Sequence, residues 1–291
     1  MAPPAPGSPR SREHHRHRRT AVTVRRAVVV TLAGVVWTLV VGAWAWLGEP
    51  GWIEVTHGTV GSPAPGAHPF RIVALGDLHL RQIGDRERRV AAAAREARPD
   101  LVVLCGDLVD GPEALPALDA FLALLGDGHR TAAVLGGSER WSGVEVASLR
   151  AVLSHRGAAL LVNEALRLDP GGRPVAVVGL DDAASGQPDP RAAARGAAGI
   201  ADVVAVAHSP ASREAWDVAP PAFMLSAGTH GGQVTLLGYA PSRLPGSGGY
   251  LAGWYRGPPF DLYVSRGVGT SVLPIRFGAR PEVTVVDWWP R

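Results

Sequence analysis

The chain contains no lysine: all 29 of its basic residues are arginine. Beside abundant Ala, 36 Gly and 25 Pro, this is the composition bias of a GC-rich genome rather than a functional signal. Cysteine is nearly absent as well. Cys105 stands alone, which excludes an internal disulfide, says nothing about compartment and gives a redox or transport-accessory role little footing. Within "LVVLCGD" it reads as a small buried hydrophobe. Acidic residues are scarce only at the front. Residues 1–26 hold seven Arg against Glu13, whereas residues 27–291 hold 22 Arg against 25 acidic residues. The net charge of +3 therefore belongs to the tail, and the rest of the chain lacks the basic surface that binding nucleic acid requires. Internal repeats are missing, and Gly and Pro punctuate apolar runs instead of forming one low-complexity block.

What is present begins with a membrane address. "AVVVTLAGVVWTLVVGAWAWL" (27–47) runs 21 residues without a charge, long enough to span a bilayer as a helix. An Arg-rich tail precedes it, and Trp44, Trp46 and Trp52 cluster at its far end. This asymmetry predicts a basic cytoplasmic tail over 1–26 and a single-pass bacterial cell-membrane protein with its domain outside the cytoplasm. Ala43-Trp44-Ala45 offers the alternative of a cleavable signal peptide, but the apolar stretch is long for one and an uncleaved anchor is the expectation. Arg25-Arg26 matches a twin-arginine export signal poorly in its flanks. Residues 48–69 are turn-rich with an extended piece at 52–56, which reads as a linker and edge strand ahead of one domain over 70–291.

That domain alternates short apolar runs with helical stretches. The runs lie at 70–75, 101–105, 131–135, 175–180, 202–208, 223–228, 233–239, 261–265 and 282–288. They are β-branched-rich and bounded by Gly, Pro or Asp, so they read as buried strands. Helices are expected over 85–97, 112–126 and 144–157, the last two closing at Gly. Strand and helix alternate early and strands dominate late, which predicts an α/β domain of two packed sheets covered by helices. At 46% apolar, it has material for a large core.

Polar residues able to ligate a metal follow the runs. Asp77 and His79 come after the first, Asp107 and Asp110 after the second, His208 after the fifth and His230 after the sixth. Strand carboxyl ends are where α/β sheets gather ligands. Any one of these residues has an ordinary alternative, since Asp beside Gly is often turn chemistry and a lone His is often a packed or surface residue. The ordered set points to a metal. Carboxylate and imidazole together suit Mn²⁺, Fe²⁺ or Zn²⁺, and such sites hydrolyse phosphoesters.

At "GDLH" (76–79), "GDLVDG" (106–111), "HSP" (208–210), "THGGQV" (229–234) and "YVSRGVGTSVLPIRFGARPEVTVV" (263–286), the chain resembles the calcineurin-like metallophosphoesterases, in particular their bacterial membrane-anchored or exported group. The resemblance implies a two-sheet β-sandwich flanked by helices in four layers. It also implies a first metal site of Asp77, His79, Asp107 and His230, and a second to which Asp107 and His208 contribute. Asp107 and His208 are the residues it marks for catalysis. The family's Asn, His and Asp of "GNHD" fall on Gly137, Ser138 and Glu139, and the first His of "GHxH" falls on Gly228. The second site therefore lacks side chains. Replacements could come from Ser138, Glu139, His155, Asp181 or Asp182, although Glu139-Arg140 reads as a surface pair and Asp181-Asp182 as a strand-end turn. The expectation is a membrane-anchored metal-dependent phosphoesterase with one tight metal, acting on a phosphoester, lipid or envelope-derived. The alternative is a catalytically weak or inactive relative that serves as a metal- or ligand-binding module at the membrane.

Overall fold

The computed structural model describes residues 9–63, 66, 68–237, 239–240 and 245–291, with the backbone alone over most of 9–24. It has two compact units, residues 1–45 and 46–291. Among its described residues the first is made up almost wholly of one helix, α1 (Pro9–Ala43). The helical run Arg25–Gly51 has a mean hydropathy of 2.1 and is long and apolar enough to cross a membrane.

The second unit is built on two six-stranded sheets. Its strands are β1 (Glu54–Val60), β2 (Phe70–Leu75), β3 (Leu101–Cys105), β4 (Arg130–Val134), β5 (Ala158–Leu160) and β6 (Glu164–Leu168). They continue with β7 (Val175–Gly179), β8 (Asp202–Val206), β9 (Phe223–Ser226), β10 (Gly253–Tyr255), β11 (Asp261–Val264) and β12 (Glu282–Trp288). One sheet runs β1-β12-β2-β3-β4-β5 and the other β10-β11-β9-β8-β7-β6. Within the first, β2 to β5 are parallel. Within the second, β7, β8, β9 and β11 are parallel, with β6 and β10 as antiparallel edges.

Alternation along the strands explains the layering. Ile72 and Ala74 of β2 and Val103 and Cys105 of β3 face inward, packing with Val177, Val204, Val206 and Leu225 of the other sheet. Their neighbours Val73, Leu75, Val102 and Leu104 face outward. There they meet Val90 and Ala94 of α2 (Asp85–Glu96), Leu118 and Phe121 of α3 (Leu115–Leu125) and Leu149 and Leu153 of α5 (Val146–His155). A short α4 (Gly137–Trp141) follows β4. Ala193 of α6 (Pro190–Gly196) and Trp216 cover the far face of the second sheet. The result is two mixed sheets between helical layers. Because both faces of each sheet are covered, strands such as β3 are buried at every residue and show no polar alternation.

The helices stop where glycine permits. Gly126 after α3 has φ +79° and Gly157 after α5 has φ +69°, a left-handed turn that closes a helix without a Cβ clash. One expected strand is overturned. The described residues of 233–239, which are 233–237 and 239, form isolated bridges and a turn instead of a buried strand, with Leu236, Leu237 and Tyr239 exposed. Gln233 is the cause: at φ +56° it turns the chain away, and its side chain bonds Ser271 and Leu273. Strands β5, β6 and β10 and helices α4 and α6 were not expected; all five are short.

Candidate metal centre

The parallel strands end together, so their carboxyl-terminal loops converge. Asp77 and His79 lie on the loop after β2, and Asp107 and Asp110 on the loop after β3. These loops run side by side: His79 N–H donates to the Asp107 carbonyl at 2.9 Å and Leu80 N–H to the Leu108 carbonyl at 2.9 Å. From the other sheet come His208 after β8 and His230 after β9. Two triads of metal-capable groups result, His79-Asp107-His230 and Asp77-Asp107-His208, all buried. Asp107 is common to both.

Asp107 Oδ2 stands 3.4 Å from His79 Nε2 and 3.4 Å from His208 Nε2. His79 Nε2 lies 3.2 Å from His230 Nε2. Ligand atoms each about 2.0–2.2 Å from one ion stand roughly 3.0–3.5 Å from one another. Asp77 sits between the two groups, its Oδ2 4.0 Å from His230 Nε2 and its Oδ1 3.8 Å from His208 Nδ1. Asp77 thus lies within 4.0 Å of both His230 and His208.

The other face of each ligand is fixed. His79 Nδ1–H donates to Asp110 at 2.6 Å, and Asp110 accepts from Arg81. His208 Nδ1–H donates to the Cys105 carbonyl at 2.9 Å. With Nδ1 donating in both rings, their Nε2 atoms face the Asp107 carboxylate. Partners of this kind set tautomer and ring orientation at metal sites. Asp107 Oδ1 accepts Ser138 N–H at 2.7 Å, and Asp77 Oδ1 accepts Gly228 N–H at 2.9 Å.

Two observations show that these residues fit a divalent cation. Buried Asp77 Oδ2, 4.0 Å from His230 Nε2, has no hydrogen-bond partner, and such an orphan atom is costly unless a cation or water satisfies it. In addition, Asp77, His79, Asp107 and His230 all have φ between +44° and +52°, at ~1–3 kcal/mol each for residues other than glycine. Strain shared by four converging side chains belongs to a site that over-determines its geometry.

The electrostatics make the same demand for positive charge. Burial disfavours charging His208, yet the carboxylates of Asp107, Asp77 and Asp182 push its imidazole up to about 9. His79 is raised, with burial opposed by its bond to Asp110 and by Asp107 and Asp77. His230 is pushed well down by burial and by the nearby Arg276 and His79 charges, which keeps it a neutral ligand. Burial also raises the Cys105 thiol far above its ordinary value, leaving it inert.

The surroundings correct several readings. Glu139 is not a surface residue. It is buried and accepts the N–H groups of Gly136, Leu108 and Val109, so it braces the Asp107 loop. Arg140 pairs with Asp181 instead, at 2.6 Å. The Ser138 hydroxyl donates to the Val109 carbonyl. Asp182 accepts the hydroxyls of Ser185 and Ser209, while His155 pairs with Asp119 on the surface. None of these five side chains belongs to either triad. At Gly137 an added Cβ would meet the Trp141 ring at 2.6–3.0 Å, and at Gly228 it would meet His208 Nε2 at 2.9 Å.

Sequence reasoning missed Arg276. It is fully buried and donates to the carbonyls of Gly269, Ala279, Arg266 and His230, clamping the C-terminal turn behind His230. Its only local signal is an Arg inside the apolar, Pro- and Gly-bounded "LPIRFG". Gly267, with φ +66°, lies so close to Asp77 that a Cβ would stand 2.3 Å from Oδ2.

Comparison with known proteins now has a geometry to address. A family model described as calcineurin-like phosphoesterase matches residues 70–221. The uncharacterised metallophosphoesterase YkuE of Bacillus subtilis (strain 168) is 30% identical over 81% of this chain and 86% of its own. Phosphodiesterase YaeI of Escherichia coli (strain K12) is 33% identical over 82% and 89%. A transmembrane protein with metallophosphoesterase domain from Danio rerio is 25% identical over 74% of this chain and 52% of its own.

Proposed function

Because the chain belongs to the calcineurin-like phosphoesterase family, we propose that it is a membrane-anchored, metal-dependent hydrolase of phosphate mono- or diesters. We assign Asp77, His79, Asp107 and His230 to one tight metal site, and Asp107 with His208 to a weaker second one. The observation that carries this reading is the shared position of Asp107, whose Oδ2 faces imidazole nitrogens of both triads at 3.4 Å. The phosphodiesterase YaeI supports the hydrolase class. The apolar run Arg25–Gly51 and the zebrafish transmembrane relative support the anchor, with residues 27–47 as the span and the domain outside the cytoplasm.

A divalent Mn, Fe or Zn ion bound there supplies Lewis acidity toward phosphate oxygen and lowers the pKa of water. The protein supplies position and charge. Asp110 and the Cys105 carbonyl hold the His79 and His208 rings with Nε2 inward, and Glu139 fixes the backbone beneath Asp107. His208 would either ligate the weaker second ion through Nε2 or, with that ion absent, carry a proton there among three carboxylates and release it to a leaving oxygen. Ser138 cannot take that part while its hydroxyl is committed to Val109.

One observation favours a second reading, a non-catalytic metal-binding module. The side chains of Ser138 and Glu139 are directed to backbone groups, leaving the site without the family's leaving-group histidine. Hydrolysis of bis-p-nitrophenyl phosphate and p-nitrophenyl phosphate by the full chain, with Mn²⁺, Fe²⁺ or Zn²⁺, separates the two. The enzyme reading expects metal-dependent turnover that Asp107→Asn lowers by about 10²-fold or more. Turnover unchanged in Asp107→Asn would contradict the assignment, and none with any metal would leave the binding module.

A further inference from the structure

Resting on the hydrolase and anchor readings above, we infer that the cavity beside the metal centre opens at the membrane surface and takes the phosphoester headgroup of a membrane amphiphile. A cavity of about 400 Å³ reaches His79 and Asp110, within the range of small-molecule sites. Its lining also includes Pro50 and Gly51, the last residues of the apolar run Arg25–Gly51. The juxtaposition is fixed within the compact unit. Glu49 accepts the Ala279 N–H at 2.8 Å, Arg89 donates to the Gly51 carbonyl at 3.2 Å, and the Arg280 guanidinium lies 3.8 Å over the Trp52 ring. Pro50 and Gly51 follow the proposed span over 27–47 by only a few positions, so chain connectivity alone keeps this part of the cavity lining near the bilayer surface.

The rim of the cavity suits that location. Val272 and Leu273 line it, and Val272 is 95% exposed. Gln233 bonds this segment to the turn that carries Leu236 and Leu237, and Leu237 is fully exposed. Val272 and Leu237 hold φ of +62° and +51°, which bulky residues rarely adopt. Apolar side chains projected into water from a strained backbone beside a polar site mark an interaction surface. Trp46, Leu47 and Trp52 are exposed as well, and Trp favours the membrane–water boundary. Arg81, also exposed and lining the cavity, is paired with Asp110 through Nε, so a phosphate headgroup would share its guanidinium with that carboxylate. The occupant these features select is lipid: the tails stay in the bilayer beneath the apolar rim and the headgroup enters the cavity.

The test uses the full chain reconstituted in phosphatidylcholine–phosphatidylglycerol vesicles. Buried Cys105 does not compete for labelling, so a bimane fluorophore can be placed at Leu237→Cys, at Val272→Cys or, as a control at the amino ends of the strands, at exposed Asp127→Cys. Labels at 237 and 272 are expected to lose fluorescence to nitroxide-bearing lipid and to be shielded from aqueous iodide, and the label at 127 to behave oppositely. All three responding alike to iodide would overturn the membrane-facing cavity. With metal supplied, kcat/KM for vesicle phosphatidylglycerol should exceed that for its water-soluble deacylated headgroup by about tenfold or more, through local concentration at the surface. Leu237→Asp should lower that ratio toward one. Equal rates on both forms in the wild type would overturn the lipid substrate. Lipid quenching with no hydrolysis of either form would support the membrane-facing cavity and overturn the catalytic reading on which the substrate rests.

Discussion

Asp110 orients the metal-facing imidazole of His79 through a 2.6 Å bond while lying outside both triads. Burial opposes ionisation of Asp110, but its bonds to His79 and Arg81 hold its pKa below the ordinary carboxylate value, so it remains a charged acceptor. Losing such an orienting partner lowers metal affinity by about 10–100-fold. Asp110→Asn is therefore expected to weaken metal binding on that scale, read by calorimetry, with the fold intact by circular dichroism. The two glycines that replace family ligands should behave differently from one another. Gly137→Asn needs only the exposed Trp141 ring to swing aside. It should tighten a second metal at least about tenfold, the effect of ~1.4 kcal/mol from one added ligand. At Gly228, φ is +76° and a Cβ meets His208 Nε2, so Gly228→His is expected to disturb His208 and give no second metal. The reverse order of effects in a metal titration would refute this view of the loops. The five side chains of the two triads were legible because each follows an apolar run. Glu139 was not, because the backbone N–H groups it braces belong mainly to Leu108 and Val109, some thirty positions upstream, and a Glu beside an Arg looks like an exposed pair.

At the scale of elements, Glu282 at the start of β12 latches the two sheets. It accepts from Thr56 of β1, from the Tyr263 hydroxyl of β11 and from Arg266. Burial works against its ionisation, but Arg266, Thr56 and Tyr263 bring its pKa below the ordinary glutamate value. A depressed folded pKa contributes stability that is present above the unfolded value, about 4.3, and is lost as pH falls through the folded one. Glu282→Gln should cost roughly 1–3 kcal/mol at pH 7. The difference from wild type should shrink as pH drops below about 4, followed by denaturant titration at several pH values. A penalty independent of pH would show packing, not charge, to be the latch. Strands β2, β3, β4, β7, β8, β9, β11 and β12 were readable because strands covered on both faces, most of them parallel, write themselves as apolar runs. "QVTLLGY" has the same look, and its divergence lies in Gln233, whose left-handed backbone and cross-loop bonds depend on Ser271 and Leu273 far along the chain. Arg276 escaped for a similar reason, since carbonyls from four separate positions satisfy it.

Over the whole molecule, a two-sheet scaffold brings metal-capable side chains from both sheets to one end, and an apolar run ends against the same cavity. The four residues that the family resemblance assigns to a first metal site, Asp77, His79, Asp107 and His230, all fall within the two triads, and the same resemblance places Gly137 and Gly228 where a second site would need side chains. The most direct measurement is metal content per chain on the purified full-length protein, supplied in turn with Mn²⁺, Fe²⁺ and Zn²⁺, beside Asp107→Ala. One tightly held ion per chain, lost in Asp107→Ala, is the result expected of a shared Asp107 and an incomplete second site. No bound metal, or the same content in Asp107→Ala, would contradict it.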